Sequence, residues 1–459
     1  MAETPLLPAT SRALLHRIAT AQTQGRAPSV AAAVLRDGAP VWSGGYGLVD
    51  GAVPGDDTQY RIGSLTKTFV AVLVLRLREE GLLDLDDPLS RHLPGAPAGA
   101  STVFQLLAHT SGIASETPAP WWERTPGDVR PELADVLGDD YRKYPAGHRH
   151  HYSNPGFALL GALVEQVRGR SLGQVLHDEI LAPLKMTRTT LLPQAPHAHG
   201  WAVHPWADVL LPEPTEDAGR LAPAGQLWST LADLSRFAAF LADGDPAVLP
   251  AAAVELMRTA ASPPEGDQWD SGYGLGVQLK RDHGRMLAGH TGSMPGFLAT
   301  LWFSPADRIA AVVLANTTTG VSVGGLGADL VRIVCEHEPR LPAPWQPLTS
   351  YDPALLELTG PWYWGPGAVA LKLLADGDLE LAPLAGPGRG ARLKAQGDGT
   401  WRGLDGYYAG ETLRVARRPD GTVDHLDLGS FVFTRTPYDA AADVPGGVDP
   451  AGWRGLPRD

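Results

Sequence analysis

The chain has 459 residues, a formal charge of −13, 44% hydrophobic residues and 19% charged residues. At roughly 150 residues per domain it holds more than one domain, and its composition excludes wholesale disorder and fibrous architectures. The acidic balance argues against nucleic acid or an anionic membrane as a partner, and the single cysteine, Cys335, excludes an intramolecular disulfide or a cysteine-based zinc site.

In chain order, Met1 to Arg26 has no apolar core long enough for an export signal. The longest apolar stretch, Phe69 to Leu77, is interrupted by Arg76 and falls far short of the roughly 18 residues a membrane span needs. The reading is therefore a cytoplasmic protein. Residues 29–36 (SVAAAVLR) and 40–48 (PVWSGGYGL) flank Asp37-Gly38 and predict a β-hairpin. From Ser64 to about Gly173 the pattern is helical, and the segment after Ser64 is too apolar all round for a surface helix, so it should be buried. Strands follow at 298–304 and 308–315, then a helix from Gly325 to His337. Strands at both ends with helices between predict an α/β (α+β) domain over 1–338, one antiparallel sheet with a helical lobe inserted.

The proline-rich residues 339–350 read as a linker. Residues 351–459 form the second domain: short strands punctuated by Asp376-Gly377, Asp398-Gly399 and Asp420-Gly421 predict a small antiparallel barrel or sandwich between Leu358 and Arg435. The tail after Tyr438 is expected to be loosely attached. Trp362, Tyr363, Trp364 and Trp401 are candidates for the core of this domain.

Three short elements carry chemistry. In Ser64-Leu65-Thr66-Lys67 a separation of three puts both polar side chains on one helical face. Serine needs a nearby base to act as a nucleophile, and a lysine facing a buried helix is costly unless paired or used. Tyr152-Ser153-Asn154 supplies a candidate base in Tyr152, held ionised by an adjacent lysine and a helix N-terminus, and in Asn154 a donor and acceptor suited to a substrate amide. The bland alternative for this triplet is a helix cap. His290-Thr291-Gly292-Ser293 precedes the strand at 298–304; an edge strand here can pair with a peptide backbone, and the Ser293 and Ser64 N–H groups together would form an oxyanion hole.

Other features carry less. Gly169-Arg170-Ser171-Leu172-Gly173 matches G-x-S-x-G but follows a helix rather than a strand, so Ser171 is read as a helix cap. His148, His150 and His151 lack the partners of a metal site, and no metal or other cofactor is expected. Trp121 and Trp122 either line a pocket or close the helical lobe.

In order and spacing the three elements match the S-x-x-K, Y-x-N and K-T-G motifs, with His290 in place of the last lysine, and the chain resembles the class C β-lactamase and penicillin-binding-protein-like serine hydrolases. The segments 105–112 (QLLAHTSG), 229–234 (STLADL) and 272–276 (GYGLG) extend the likeness over about residues 25–340. The resemblance implies that Ser64 is the acylated nucleophile, that Lys67 and Tyr152 move the proton, and that Asn154, His290 and Thr291 bind substrate, with His109 structural. A histidine in place of a permanent cation makes penicillin hydrolysis less apt. Residues 404–411 (LDGYYAGE) resemble the lipocalin-like domain attached to several of these hydrolases. Penicillin-binding-protein-type thioesterases share that layout, which implies release of a nonribosomal peptide by macrocyclisation at a C-terminal D-residue. The substrate would be a peptide (thio)ester delivered on a carrier protein. An esterase or D-stereospecific peptidase or amidase, and a non-catalytic sensor, are the alternatives.

Overall fold

The computed structural model describes residues 6–129, 132–262, 270–439 and 441. The described residues fall into two compact units that divide between Arg340 and Leu341. The expected loose tail after Tyr438 lies almost wholly outside the described residues.

The first unit is built on strands β1 (Ser29–Arg36), β2 (Ala39–Gly47), β3 (Ser271–Tyr273), β4 (Gln278–Asp282), β5 (Arg285–Met294), β6 (Phe297–Ser304) and β7 (Ile309–Ala315). They form one antiparallel sheet in the order β2-β1-β7-β6-β5-β4-β3. The β1–β2 hairpin turns at Asp37 (φ 54°) and Gly38 (φ 80°), and two positive φ angles in succession give a turn whose twist matches that of the strands. Residues of β1 alternate between two cores: Ala31, Ala33 and Leu35 pack on one face of the sheet, Val30, Ala32 and Val34 on the other.

Helices α1 (Pro8–Gly25) and α5 (Val323–His337) cover the second face, through Leu14, Ile18, Leu326 and Leu330. The first face carries the helical lobe, with α2 (Leu65–Glu79), α3 (Asn154–Arg168) and α4 (Leu231–Asp243). Helix α2 is buried on nearly every side, from Leu65 to Leu75, as its continuous apolar run predicts. Among the described residues no helix is long and apolar enough to cross a membrane.

The second unit is a closed barrel of eight antiparallel strands in sequential order, β8 to β15 (360–364, 367–373, 379–383, 391–395, 401–403, 412–417, 423–428 and 431–434). This is the architecture of the lipocalin-like domains. Trp362, Leu371, Leu381, Leu393, Trp401, Leu426 and Phe433 pack into one core of its own. Trp364 is half-exposed and stands outside that core.

Candidate active site

Ser64 is the residue from which α2 departs. A serine there ordinarily caps the helix through its side chain, worth about 1 kcal/mol. Ser64 makes no such bond, and its Oγ instead accepts from Lys67 Nζ at 3.0 Å. Lys67 is fully buried, and its Nζ also donates to Asn154 Oδ1 at 2.7 Å and to the Ala224 carbonyl at 2.7 Å. The segment carrying Ala224 is tied to α2 by Leu227 N donating to Thr66 Oγ1 and by Ile62 N donating to the Leu227 carbonyl.

In the Tyr152-Ser153-Asn154 triplet the helix cap stands between the two candidate site residues. Ser153 caps α3, its Oγ accepting from Gly156 N at 3.0 Å, and Pro155 follows at the first turn where its missing N–H costs nothing. That cap holds Tyr152 and Asn154 on either side at the nucleophile: Tyr152 hydrogen-bonds Ser64, and Lys67 Nζ lies 4.8 Å from the centre of its ring. Asn154 is also engaged inside the protein. Its Oδ1 takes the lysine and its Nδ2 donates to Glu116 Oε1 at 2.8 Å, which uses one of its two N–H donors and one of its two acceptor sites.

The His290-Thr291-Gly292-Ser293 element lies within β5, which directly precedes the strand at 297–304 and has a strand on either side in the sheet. Strand β4 pairs with β5 only as far as Gly289, which leaves 290–294 without a strand neighbour on that side. The open edge is partly filled, because Gln278 Oε1 accepts from Thr291 N and Oγ1, each at 3.1 Å. Two glycines bring this strand against the start of α2. A Cβ on Gly292 would lie 1.9 Å from the Ile62 carbonyl oxygen, and one on Gly63 (φ 53°) would lie 2.6 Å from Ser293 N. The Ser293 amide is thus held beside the N-terminus of α2, where the Ser64 N–H and the positive end of the helix also lie.

The His290 side chain is buried and bonded inside the protein. It is 1% exposed, with Nδ1 at 2.5 Å from the Thr291 carbonyl and Nε2 at 3.0 Å from Tyr273 Oη. A carbonyl only accepts, so Nδ1 carries the proton, Nε2 accepts, and Tyr273 is the donor. His109 is likewise buried; its Nδ1 accepts from Ser153 N at 3.1 Å and its ring packs 4.2 Å from that of Tyr152, bracing the segment that carries the tyrosine. His150 joins the same ring cluster, and His151 Nε2 is 3.2 Å from Ser115 Oγ. No metal-binding group of side chains occurs among the described residues.

Burial sets the charges. It pushes the Lys67 ammonium down to about 7, against the opposing pull of the Glu116 and Glu123 carboxylates. Burial pushes the Tyr152 phenol up, and the same two carboxylates add to the rise while the Ser64 hydrogen bond opposes it. The ionised tyrosine that the sequence suggests is therefore not the resting state; among the groups around Ser64, the lysine is the one poised to lose its proton near neutrality. Burial, reinforced by Lys67, holds His290 down at about 3, so it is neutral throughout the ordinary range.

Sequence reasoning missed Glu116 and the Ala224 carbonyl. Glu116 stands seven residues beyond His109 in a loop that no local pattern marks, and Trp122 Nε1 donates to its Oε2 at 2.8 Å. The tryptophan pair divides its roles: Trp122 is buried in the lobe and Trp121 is exposed. Ser171 is the cap of a short helix, with Gln174 completing a reciprocal capping box. A cleft of about 460 Å³ reaches Tyr152 but not Ser64, and His150, Tyr273, Gln278, Lys280 and Trp302 also line it.

A family model described as Beta-lactamase matches residues 14–336, and a domain of unknown function (DUF7586) matches residues 351–435. Penicillin-binding protein 4 of Amycolatopsis lactamdurans is 30% identical over 324 residues, which is 66% of this chain and 84% of that protein. A D-stereospecific amidohydrolase from Streptomyces sp. superposes with TM-score 0.58 and 28% identity, over 72% of this chain and 99% of that one. A structure of SurE superposes with TM-score 0.58 and 27% identity over 93% of this chain and 99% of that chain, and another SurE structure contains D-Leu.

Proposed function

Starting from the fact that the chain belongs to the beta-lactamase family of serine hydrolases, we propose that it is an acyl-transfer enzyme that takes the acyl group of a D-residue onto Ser64. The observation that carries this reading is a fully buried Lys67, neutral above about 7, with its Nζ 3.0 Å from the Ser64 hydroxyl.

In the proposed sequence, neutral Lys67 takes the Ser64 proton as Oγ bonds to the substrate carbonyl carbon. The resulting oxyanion is held by the N–H groups of Ser64 and Ser293, and such donors are typically worth roughly a hundred- to a thousand-fold in rate each. As the tetrahedral adduct collapses, the bond to the leaving group breaks and protonated Tyr152 supplies its proton. The Lys67 ammonium then returns its own proton to Tyr152, and the acyl-enzyme stands with lysine and tyrosine both neutral. Attack on the acyl-enzyme runs the same transfers in reverse.

The acceptor decides the product. We take the acceptor to be the peptide's own amine, so that a peptide (thio)ester brought by a carrier protein is released as a macrocycle. The layout of catalytic unit plus barrel supports this, as does the likeness to SurE, which extends over both units. The second reading, a D-stereospecific amidohydrolase, is favoured by the Streptomyces structure, whose match covers 72% of the chain. Both use Ser64, Lys67 and Tyr152 alike. A short peptide thioester ending in a D-residue, its L-epimer and a Ser64→Ala control, followed by mass spectrometry, tests the proposal. Cyclic product from the D-form alone is expected. Linear acid moves the assignment to the hydrolase, and an unmodified Ser64 with every substrate overturns it.

A further inference from the structure

Glu116 belongs to none of the three motifs, yet it closes a continuous chain of hydrogen bonds to the nucleophile. Trp122 Nε1 donates to Glu116 Oε2 at 2.8 Å, Asn154 Nδ2 donates to Glu116 Oε1 at 2.8 Å, Lys67 Nζ donates to Asn154 Oδ1 at 2.7 Å, and Lys67 Nζ reaches Ser64 Oγ at 3.0 Å. The order of these contacts is not interchangeable. A carboxylate has only acceptors and an ammonium only donors, so a primary amide between them has one permitted orientation, its NH2 toward Glu116 and its oxygen toward Lys67. The backbone holds the loop in the same place: Ser153 Oγ donates to the Ala114 carbonyl at 2.6 Å and Asn154 N to the Ser115 carbonyl at 2.9 Å. Three consecutive residues, 114–116, are thereby strapped to the first turn of α3.

We infer that Glu116 is a positioning residue for acylation: it fixes the Asn154 amide so that the amide oxygen holds Lys67 against Ser64, and Trp122 fixes Glu116 in turn. This rests on the Ser64–Lys67 reading above. Without the carboxylate, Asn154 can rotate and present its NH2 to the lysine, two donors then face each other, and Lys67 loses one of the three acceptors that hold it. Glu116 also acts on Lys67 by charge. Facing the lysine nitrogen are the rings of Tyr152 and Phe157, the Ala224 carbonyl, the neutral imidazoles of His290 and His109, and the carboxylates of Glu116 and Glu123. Of these groups the two carboxylates carry the negative charge that pulls the lysine toward the ammonium form, so Glu116 holds the lysine's proton more tightly than burial alone would.

The two actions separate in one experiment: the pH dependence of Ser64 acylation by a small neutral aryl ester, with kcat and KM resolved, in full-length wild type, Glu116→Gln, Glu116→Ala and Trp122→Phe. Loss of a charge-assisted hydrogen bond predicts a fall in the plateau acylation rate of roughly 10- to 100-fold in both Glu116 variants, with KM for the ester unchanged. In both, the acid limb of the profile moves to lower pH, because removing the negative charge lets Lys67 deprotonate earlier. Trp122→Phe keeps the charge, so its plateau falls while its acid limb stays in place. Thermal midpoints identify any variant that does not fold, and the other two then carry the test. A wild-type plateau with an unmoved acid limb in Glu116→Gln overturns the inference, as does a change confined to KM, which would place Glu116 on the substrate. Ester turnover that persists in Ser64→Ala overturns the acyl-enzyme reading itself and this inference with it.

Discussion

Replacing His290 with glutamine should remove a pH dependence of stability that the fold imposes on this residue. In the folded state burial holds the imidazole at about 3, whereas an unfolded chain returns it to the ordinary histidine value near 6.5. Between those values the unfolded chain binds a proton that the folded one refuses, so folding stability rises with pH across that window and is lost as pH falls through it. Linkage arithmetic puts the loss at about 2 kcal/mol on going from pH 7.5 to pH 5, and at about 5 kcal/mol once both forms are protonated. Glutamine cannot titrate. The variant pays a pH-independent cost for the contacts His290 makes with Tyr273 and the Thr291 carbonyl, of roughly 1–3 kcal/mol. Urea denaturation of both proteins at pH 7.5 and pH 5 isolates the term, read on the transition that the substitution shifts, because the two units have separate cores. The expected result is a gap between the proteins that narrows by about 2 kcal/mol at the lower pH. Parallel losses in both would refute the claim that His290 is held neutral by burial.

The catalytic residues give sharper outcomes. Acylation of Ser64 should rise with pH through about 7 as Lys67 loses its proton, and Lys67→Arg, which cannot deprotonate, should lower it by a hundredfold or more, roughly the worth of a general base. Tyr152→Phe should slow acylation by a D-amino-acid amide by roughly a hundredfold, since an amine must leave with a proton, and by far less for an aryl ester whose phenolate leaves without one. Parallel rate measurements on the two substrates check this. Gly63→Ala places a Cβ 2.6 Å from Ser293 N at a positive φ, so it should displace the oxyanion-hole amide and cost on the order of a hundredfold in acylation, read by stopped-flow with the same aryl ester.

What could be read from the sequence was local. The spacing of Ser64 and Lys67 follows from helix geometry, the buried α2 from an unbroken apolar run, and the β1–β2 turn from Asp37-Gly38. Strand β5 could be read only as a short edge strand about Thr291-Gly292, because Gly289, Gly292 and the polar His290, Thr291 and Ser293 hide the alternation of its full length; Gly292 is required by the approach of Ile62, a tertiary fact. Two barrel strands, Ala391–Ala395 and Trp401–Gly403, are short and carry Arg392, Lys394 and Arg402, which blur the alternation that marks a strand. The protonation of Tyr152 was misjudged for a related reason: an adjacent lysine was visible, but the burial and the two carboxylates that raise the phenol come from elsewhere in the fold. The internal partners of Asn154 and His290, Glu116 and Tyr273, were not legible because they lie 38 and 17 residues away in the chain.

The central claim is that Ser64, activated by Lys67, carries the acyl group. Intact-protein and peptide mass spectrometry after mixing with a D-phenylalanine aryl ester tests it most directly, with Ser64→Ala alongside. The account predicts one added acyl mass, located on the peptide that contains Ser64, forming faster at pH 8 than at pH 6 and absent from the variant. Acyl mass on another residue, or turnover of the ester without any dependence on Ser64, would contradict it.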